Sequence, residues 1–182
     1  MTTPRFSFKK SVIENHLTGT SYNLRRMADL EATDDFIDSV VSVCNEPQVY
    51  DWLFRERLEG KPYPPSDAGW FKEWGTQGWE DNTHYLFIVT DDKGRAAAAC
   101  DIKSADLDAA EIGYWASGHH RGVMTNAVKA MVAAGFEAGF RRFYARVKPG
   151  NDASAAVLKR SGFIPTEEFT DGGFLAFELR KS

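Results

Sequence analysis

The residues from Glu111 to Thr125 are the first in the chain whose types and spacing could do chemistry. A strand-like pattern there runs through a loop into a helix-like pattern, and the first turn of a helix presents backbone N–H groups that have no partner within the helix. Such a loop binds anions, and a diphosphate is its natural guest. Gly118 and Gly122 let the backbone approach a ligand closely, while Arg121 and its flanking His119 and His120 can add positive charge. A second segment, Asn151 to Phe163, follows directly after another strand pattern; within it Ser154 also fits a helix N-cap or first-turn position. His16, His84, Cys44 and Cys100 have none of the spacings of a zinc site, and adjacent residues such as His119 and His120 do not readily face one ion, so no metal is expected.

The elements that must position these segments can be read from periodicity. Tyr22 to Met27 alternates as a short strand, and Thr33 caps a helix whose apolar positions run through Phe36, Ile37, Val40, Val41 and Cys44 until Pro47 interrupts. A shorter helix is expected over Gln48 to Arg57. Trp52 to Trp79 holds four of the five Trp, broken by Gly60, Pro62 and the Pro64-Pro65 pair, which is expected to stop any helix; it reads as a loop and a helix over a pocket. His84 to Thr90 and Arg95 to Ile102 form a hairpin around Asp91-Asp92-Lys93-Gly94. Ala110 to Ala116 is a further strand, with Glu111, Gly113 and Trp115 on one face and Ile112, Tyr114 and Ala116 on the other. A helix over Gly122 to Ala138, a strand over Arg142 to Lys148, a helix over Asp152 to Arg160 ended by Ser161-Gly162, and a closing hairpin around Asp171-Gly172-Gly173 complete the pattern. An antiparallel meander followed by strand, helix, strand and helix is a mixed α/β sheet, not a doubly wound one.

Composition narrows the partners. The 182 residues are 43% hydrophobic and 26% charged, an ordinary globular balance, and one domain is the default at this length. A formal charge of -4 without a long basic run argues against nucleic acid as the ligand. No apolar run is long enough to span a bilayer. The start MTTPRFSFKK lacks the apolar core of a signal peptide, and two distant cysteines fit a reducing cytoplasm.

Taken together in this order, the two chemical segments resemble the GNAT superfamily of N-acetyltransferases, and within it the ribosomal-protein N-terminal acetyltransferase branch. That branch carries a helix of the form N-x-A-S-x-x-V-L-x-x-x-G-F, and Asn151, Ala153, Ser154, Val157, Leu158, Gly162 and Phe163 match it position for position. The run Gly122-Val123-Met124-Thr125-Asn126-Ala127 looks like the branch's G-x-M-T-E-A. Leu24-Arg25 and Asn45-Glu46-Pro47-Gln48-Val49 are weaker matches to L-R-P and N-D-P-x-V. The likeness covers about Tyr22 to Arg180, leaving 1–21 as an N-terminal extension of a single acetyltransferase domain. The chain departs from the pattern in its loop, which is about two residues short and keeps one of the paired glycines; a β-carbon at His120 is expected to narrow the phosphate cradle.

The resemblance implies a mixed, mostly antiparallel sheet flanked by helices, with a V-shaped cofactor slot between two central strands. It implies direct attack of a primary amine on acetyl-CoA. Tyr114, Trp115, Ala116 and Ser117 would hold the pantetheine arm through their backbone, and Gly118, His119, His120, Arg121, Gly122, Val123, Met124 and Thr125 the phosphates. Asn151 would bond the pantetheine, and Ser154 would serve the leaving thiolate, since the tyrosine many members use there is Leu158 in this chain. Glu111 would be the base, with a pKa raised by partial burial; the competing reading makes it an ion-paired strand residue. Glu167 and Glu168 read as a solvated pair. Trp52 and Phe54 are expected nearest the acceptor, which would be a protein N-terminal α-amine or a small-molecule amine, and a homodimer is compatible with the family. The alternative from another class is a non-catalytic acyl-CoA-binding module, motivated by the short loop.

Overall fold

The computed structural model describes residues 3–181. Strands β1 (Lys10–Glu14), β2 (Ser21–Arg26), β3 (Tyr85–Thr90), β4 (Ala96–Ile102), β5 (Ala110–Ala116), β6 (Arg142–Val147), β7 (Ile164–Thr166) and β8 (Leu175–Arg180) form one sheet in the order β1-β2-β3-β4-β5-β6-β8-β7. Every neighbouring pair is antiparallel except β5 and β6. Helices α1 (Asp34–Cys44), α2 (Pro47–Leu53) and α3 (Pro65–Asp81) cover one face; α4 (Met124–Ala138) and α5 (Asp152–Arg160) cover the other.

The sheet centre is buried on both sides, so its strands need not alternate. All of β3 is buried, a β-branched and aromatic run suited to a pleated surface. In β4 the run Ala96-Ala97-Ala98-Ala99 is a strand despite the helix preference of alanine. It sits between two strands already paired to it, and its small side chains let α1 approach one face and α4 the other.

Local signals set most boundaries. The Thr33 hydroxyl accepts the Phe36 N–H at 3.2 Å and starts α1. The β3–β4 turn is held by Asp91, whose carboxylate accepts the N–H groups of Lys93 at 3.0 Å and Arg95 at 2.9 Å. Helix α5 spans the residues its sequence signals indicate and ends on Ser161, followed by Gly162 at φ +94°.

Three elements differ from expectation. The Pro64-Pro65 pair starts α3 instead of stopping a helix, because a proline at the first helical position gives up an N–H that has no partner there anyway. Helix α2 ends at Leu53, four residues before Arg57, and a turn carries the chain through Glu59 and Gly60, both at positive φ. Strand β1, in the stretch before Tyr22 that gave no strand signal, pairs with β2 along its whole length.

Candidate active site

Strands β5 and β6 are paired only at Ala110–Phe143 and Glu111–Tyr144. Beyond Glu111 they part, because β6 stays paired to β8 as far as Val147 while β5 follows β4. The fork leaves two connected grooves. One, about 200 Å³, runs between Tyr114–Ala116 of β5 and the start of α5 at Asn151, Ala153 and Ser154. The other, about 170 Å³, lies between Gly113–Tyr114 and Ala145–Lys148. An extended chain laid in such a fork can use the unpaired backbone groups of β5 as an added strand would.

Tyr114 stands at the fork. Its hydroxyl lies 2.8 Å from the Ser154 Oγ and donates to the Ser154 carbonyl at 2.9 Å. Burial pushes the phenol's pKa well up, so it keeps its proton at any working pH. Sequence reasoning named Tyr114 for its backbone; the hydroxyl's contact with Ser154 is the additional finding, while Leu158 is wholly buried in the core. Asn151 accepts the Ser154 N–H at 3.2 Å and caps α5, which leaves its amide N–H groups for the groove.

At the other end, α4 begins at Met124 with no side chain capping its N-terminus. Its first N–H groups are therefore free to meet an anion. Val123, Met124 and Thr125 are buried, with Met124 lining the groove beside Tyr114–Ala116; the Thr125 hydroxyl accepts from Arg160 Nε at 3.2 Å. Gly122 has φ +103°, and the turn from Asn15 to Leu17 packs where a β-carbon would project. Asn15 Nδ2 donates to the Arg121 carbonyl at 2.9 Å, and the His16 N–H to the Gly122 carbonyl at 3.3 Å. Arg121 and His119 are exposed.

Two expectations for this loop are corrected. His120 adds no positive charge: burial lowers its pKa, and its Nδ1 lies 2.9 Å from the Tyr22 hydroxyl on β2, so the ring braces the sheet. Ser117 and Gly118 spend their donors inside the protein, on the Glu46 carboxylate at 2.6 Å and 2.7 Å. They fix the loop to the α1–α2 corner.

Glu111 also differs from expectation. Its carboxylate is 3.0 Å from Lys103 Nζ and 3.0 Å from Arg146 Nη2, and the two cations outweigh burial to hold its pKa below the usual value. The reading of Glu111 as an ion-paired strand residue is the one the geometry matches. Glu167 and Glu168 are both exposed to solvent, and Glu168 is also ion-paired with Arg142 at 2.7 Å.

On the α1–α3 face a cavity of about 470 Å³ opens beside Gly113, Tyr114 and Trp115. Phe54, Phe71, Trp70 and Trp74 wall it, with Arg57 and Asp67 paired at 2.8 Å on one side. Of the two aromatics expected nearest the acceptor, Phe54 lines this cavity, while Trp52 turns to the grooves beside Asn151, where its carbonyl accepts from Lys148 Nζ at 3.3 Å. The residue that sequence reasoning missed is Asp101 of β4, which lines the cavity opposite Gly113. Its signal was a lone acid closing a strand of small apolar residues.

The chain matches the model of the Acetyltransferase (GNAT) domain over residues 24–164. It belongs to that family and is an acyl-CoA-dependent acetyltransferase. Solved structures share its fold. The GNAT domain of S. lividans PAT is 19% identical, with TM-score 0.71, covering 94% of this chain and 97% of that one. Mycobacterium smegmatis RimJ in complex with CoA-disulfide is 17% identical, with TM-score 0.73, covering 98% and 90%. Campylobacter jejuni N-acetyltransferase PseH in complex with acetyl coenzyme A is 17% identical, with TM-score 0.60, covering 88% and 99%. No curated protein matches the sequence at a significant level.

Proposed function

We propose that the protein transfers the acetyl group of acetyl-CoA to a primary amine by direct attack. The observation that carries this reading is the position of Tyr114, which lines both grooves of the β5–β6 fork and the cavity on the opposite side of the strand. A donor lying in the fork and an acceptor in the cavity would meet there. In this reading the α4 N-terminus receives the diphosphate with Arg121 beside it, the backbone of Tyr114 to Ala116 aligns the pantetheine, and Asn151 bonds it. The amine nitrogen forms its bond to the acetyl carbon as the C–S bond breaks. The departing thiolate takes a proton from the Tyr114–Ser154 pair.

The fold likeness to RimL, a ribosomal L7/L12 alpha-N-protein acetyltransferase, favours a protein N-terminal amine as acceptor, and the aromatic cavity favours a small amine. The two buried free thiols, Cys44 and Cys100, support a reducing cytoplasm as the place of action. Thermal unfolding with acetyl-CoA, CoA and ATP in parallel tests the donor. A ligand at 100 times its dissociation constant adds about 2.7 kcal/mol, a rise of roughly 5 to 10 °C in Tm at this length. Both CoA species should give the shift and ATP none; no shift with either CoA species sinks the reading.

A further inference from the structure

We infer that Asp101 is the catalytic base that takes the proton of the acceptor ammonium, and that the acceptor is a primary amine on a flat apolar body seated against Trp70, Phe71 and Trp74. The inference deepens the proposed amine acetylation and rests on it. Among the described residues, three carboxylates surround the cavity or the adjoining strand. Asp67 is paired with Arg57, and Glu111 with Lys103 and Arg146. Asp101 has no ion-pair partner, and it lines the cavity wall that adjoins Tyr114.

Its position depends on the residue opposite. Asp101 pairs with Gly113 of β5, and a β-carbon on Gly113 would lie 2.7 Å from Asp101 Oδ1. The missing side chain lets the carboxylate lean onto β5, one residue from the phenol at the fork. Burial pushes its pKa up to about 6, opposed by Lys103 and the nearby backbone N–H of Gly113 and reinforced by Glu111. The other charged groups on the cavity are the Arg57–Asp67 pair. At neutral pH Asp101 is ionised and more basic than an ordinary aspartate, as the proton transfer requires.

The cavity walls point to the body of the acceptor. Trp70 is 60% exposed, although a tryptophan is usually buried, and it stacks on Trp74 at 5.8 Å with planes 16° apart. Trp74 in turn stacks on the His84 ring at 4.0 Å, with planes 20° apart. Phe71 lies 5.9 Å from Trp115. A rigid aromatic wall left open to solvent marks a ligand surface. With a carboxylate at its inner end, it fits an ammonium carried on a flat apolar group.

The balance is R–NH3⁺ plus acetyl-CoA giving R–NH–CO–CH3, CoA thiol and one proton. Asp101 accepts the proton that frees the nitrogen lone pair and returns it to water through the cavity mouth. The thiolate takes a proton from the Tyr114–Ser154 pair, and the second proton, which the nitrogen loses as the amide forms, restores that pair.

The test measures CoA thiol release from acetyl-CoA with 2-phenylethylamine, spermidine and the peptide Phe-Ala-Ala, using wild type, Asp101→Asn and Asp101→Glu. Acetyl-CoA binding is measured alongside by calorimetry. We expect kcat/KM for 2-phenylethylamine at least tenfold above that for spermidine or the peptide, with a rate that falls on the acid side of about pH 6. In Asp101→Asn, kcat should fall at least 100-fold, the acid limb should vanish, and acetyl-CoA affinity should stay within twofold. Asp101→Glu should recover part of the rate. Asp101→Asn turning over within threefold of wild type, with its acid limb intact, overturns the base assignment. Preference for spermidine or the peptide, or no turnover of 2-phenylethylamine while acetyl-CoA still binds, overturns the acceptor class. Failure to bind acetyl-CoA at all sinks the underlying reading and this inference with it.

Discussion

Glu111 and Asp101 stand on neighbouring strands and face the same side of the sheet, yet the protein treats them in opposite ways. Glu111 lies where β5 is still paired to β6, and two cations hold it ionised. Asp101 lies across from a glycine at the edge of a cavity, with no cation of its own. The same burial that raises the pKa of one is overruled at the other by Lys103 and Arg146. Proximity to the reacting centre therefore does not choose the base. The charges already spent around each carboxylate do.

The comparison can be broken most directly through turnover. Tyr114→Phe removes the proton source at the fork and should lower kcat about 100-fold. Glu111→Gln, on the same strand, should leave kcat within about threefold when thiol release is followed at saturating acetyl-CoA. A large loss from Glu111→Gln with none from Tyr114→Phe would reverse the roles of the two residues.

Stability sharpens the contrast because the two linkages have opposite signs. The depressed pKa of Glu111 means that its contribution is present above the ordinary carboxylate range and is lost as pH falls through the folded value. Glu111→Gln should therefore lower Tm at pH 7, by up to about 1 kcal/mol or roughly 2–4 °C, with the deficit fading in acid. The raised pKa of Asp101 means that ionising it opposes folding, so stability is lost as pH rises from about 4 through about 6. Asp101→Asn should melt higher than wild type at pH 8, by about 1–2 kcal/mol once the open cavity is allowed for, and equal it near pH 4. The smallest effect belongs to Lys103→Met. It removes a cation that lowers the pKa of both acids, so the acid limb of the pH–rate profile should move to higher pH.

Much of the fold was legible because its signals are local. Strand β5 and helix α5 have the bounds their residues indicate, since alternation, helical apolar spacing and a Ser-Gly stop all lie within the segments themselves. Strand β1 was hidden, because an edge strand with one partner shows weak alternation: its pattern buries only Ile13. Pro64-Pro65 carried the opposite of its usual meaning, which depends on whether chain before or after it is helical. In the site, Asn151, Ser154 and Phe54 could be named from sequence. The phenol of Tyr114 and the carboxylate of Asp101 could not, since their roles come from what lies across a strand or a groove, at Ser154 and at Gly113.

The turn after β1 has a consequence for how the molecule assembles. Asn15 and Arg121 are joined by a hydrogen bond across 106 residues of chain. A contact that distant in sequence closes late, after the loop entropy of everything between has been met by other contacts. The phosphate end of the slot thus takes its final shape only when the first strand docks beside the second. Under the proposed function, donor binding by a refolding chain should therefore appear as a late event and not as a template for the earlier ones.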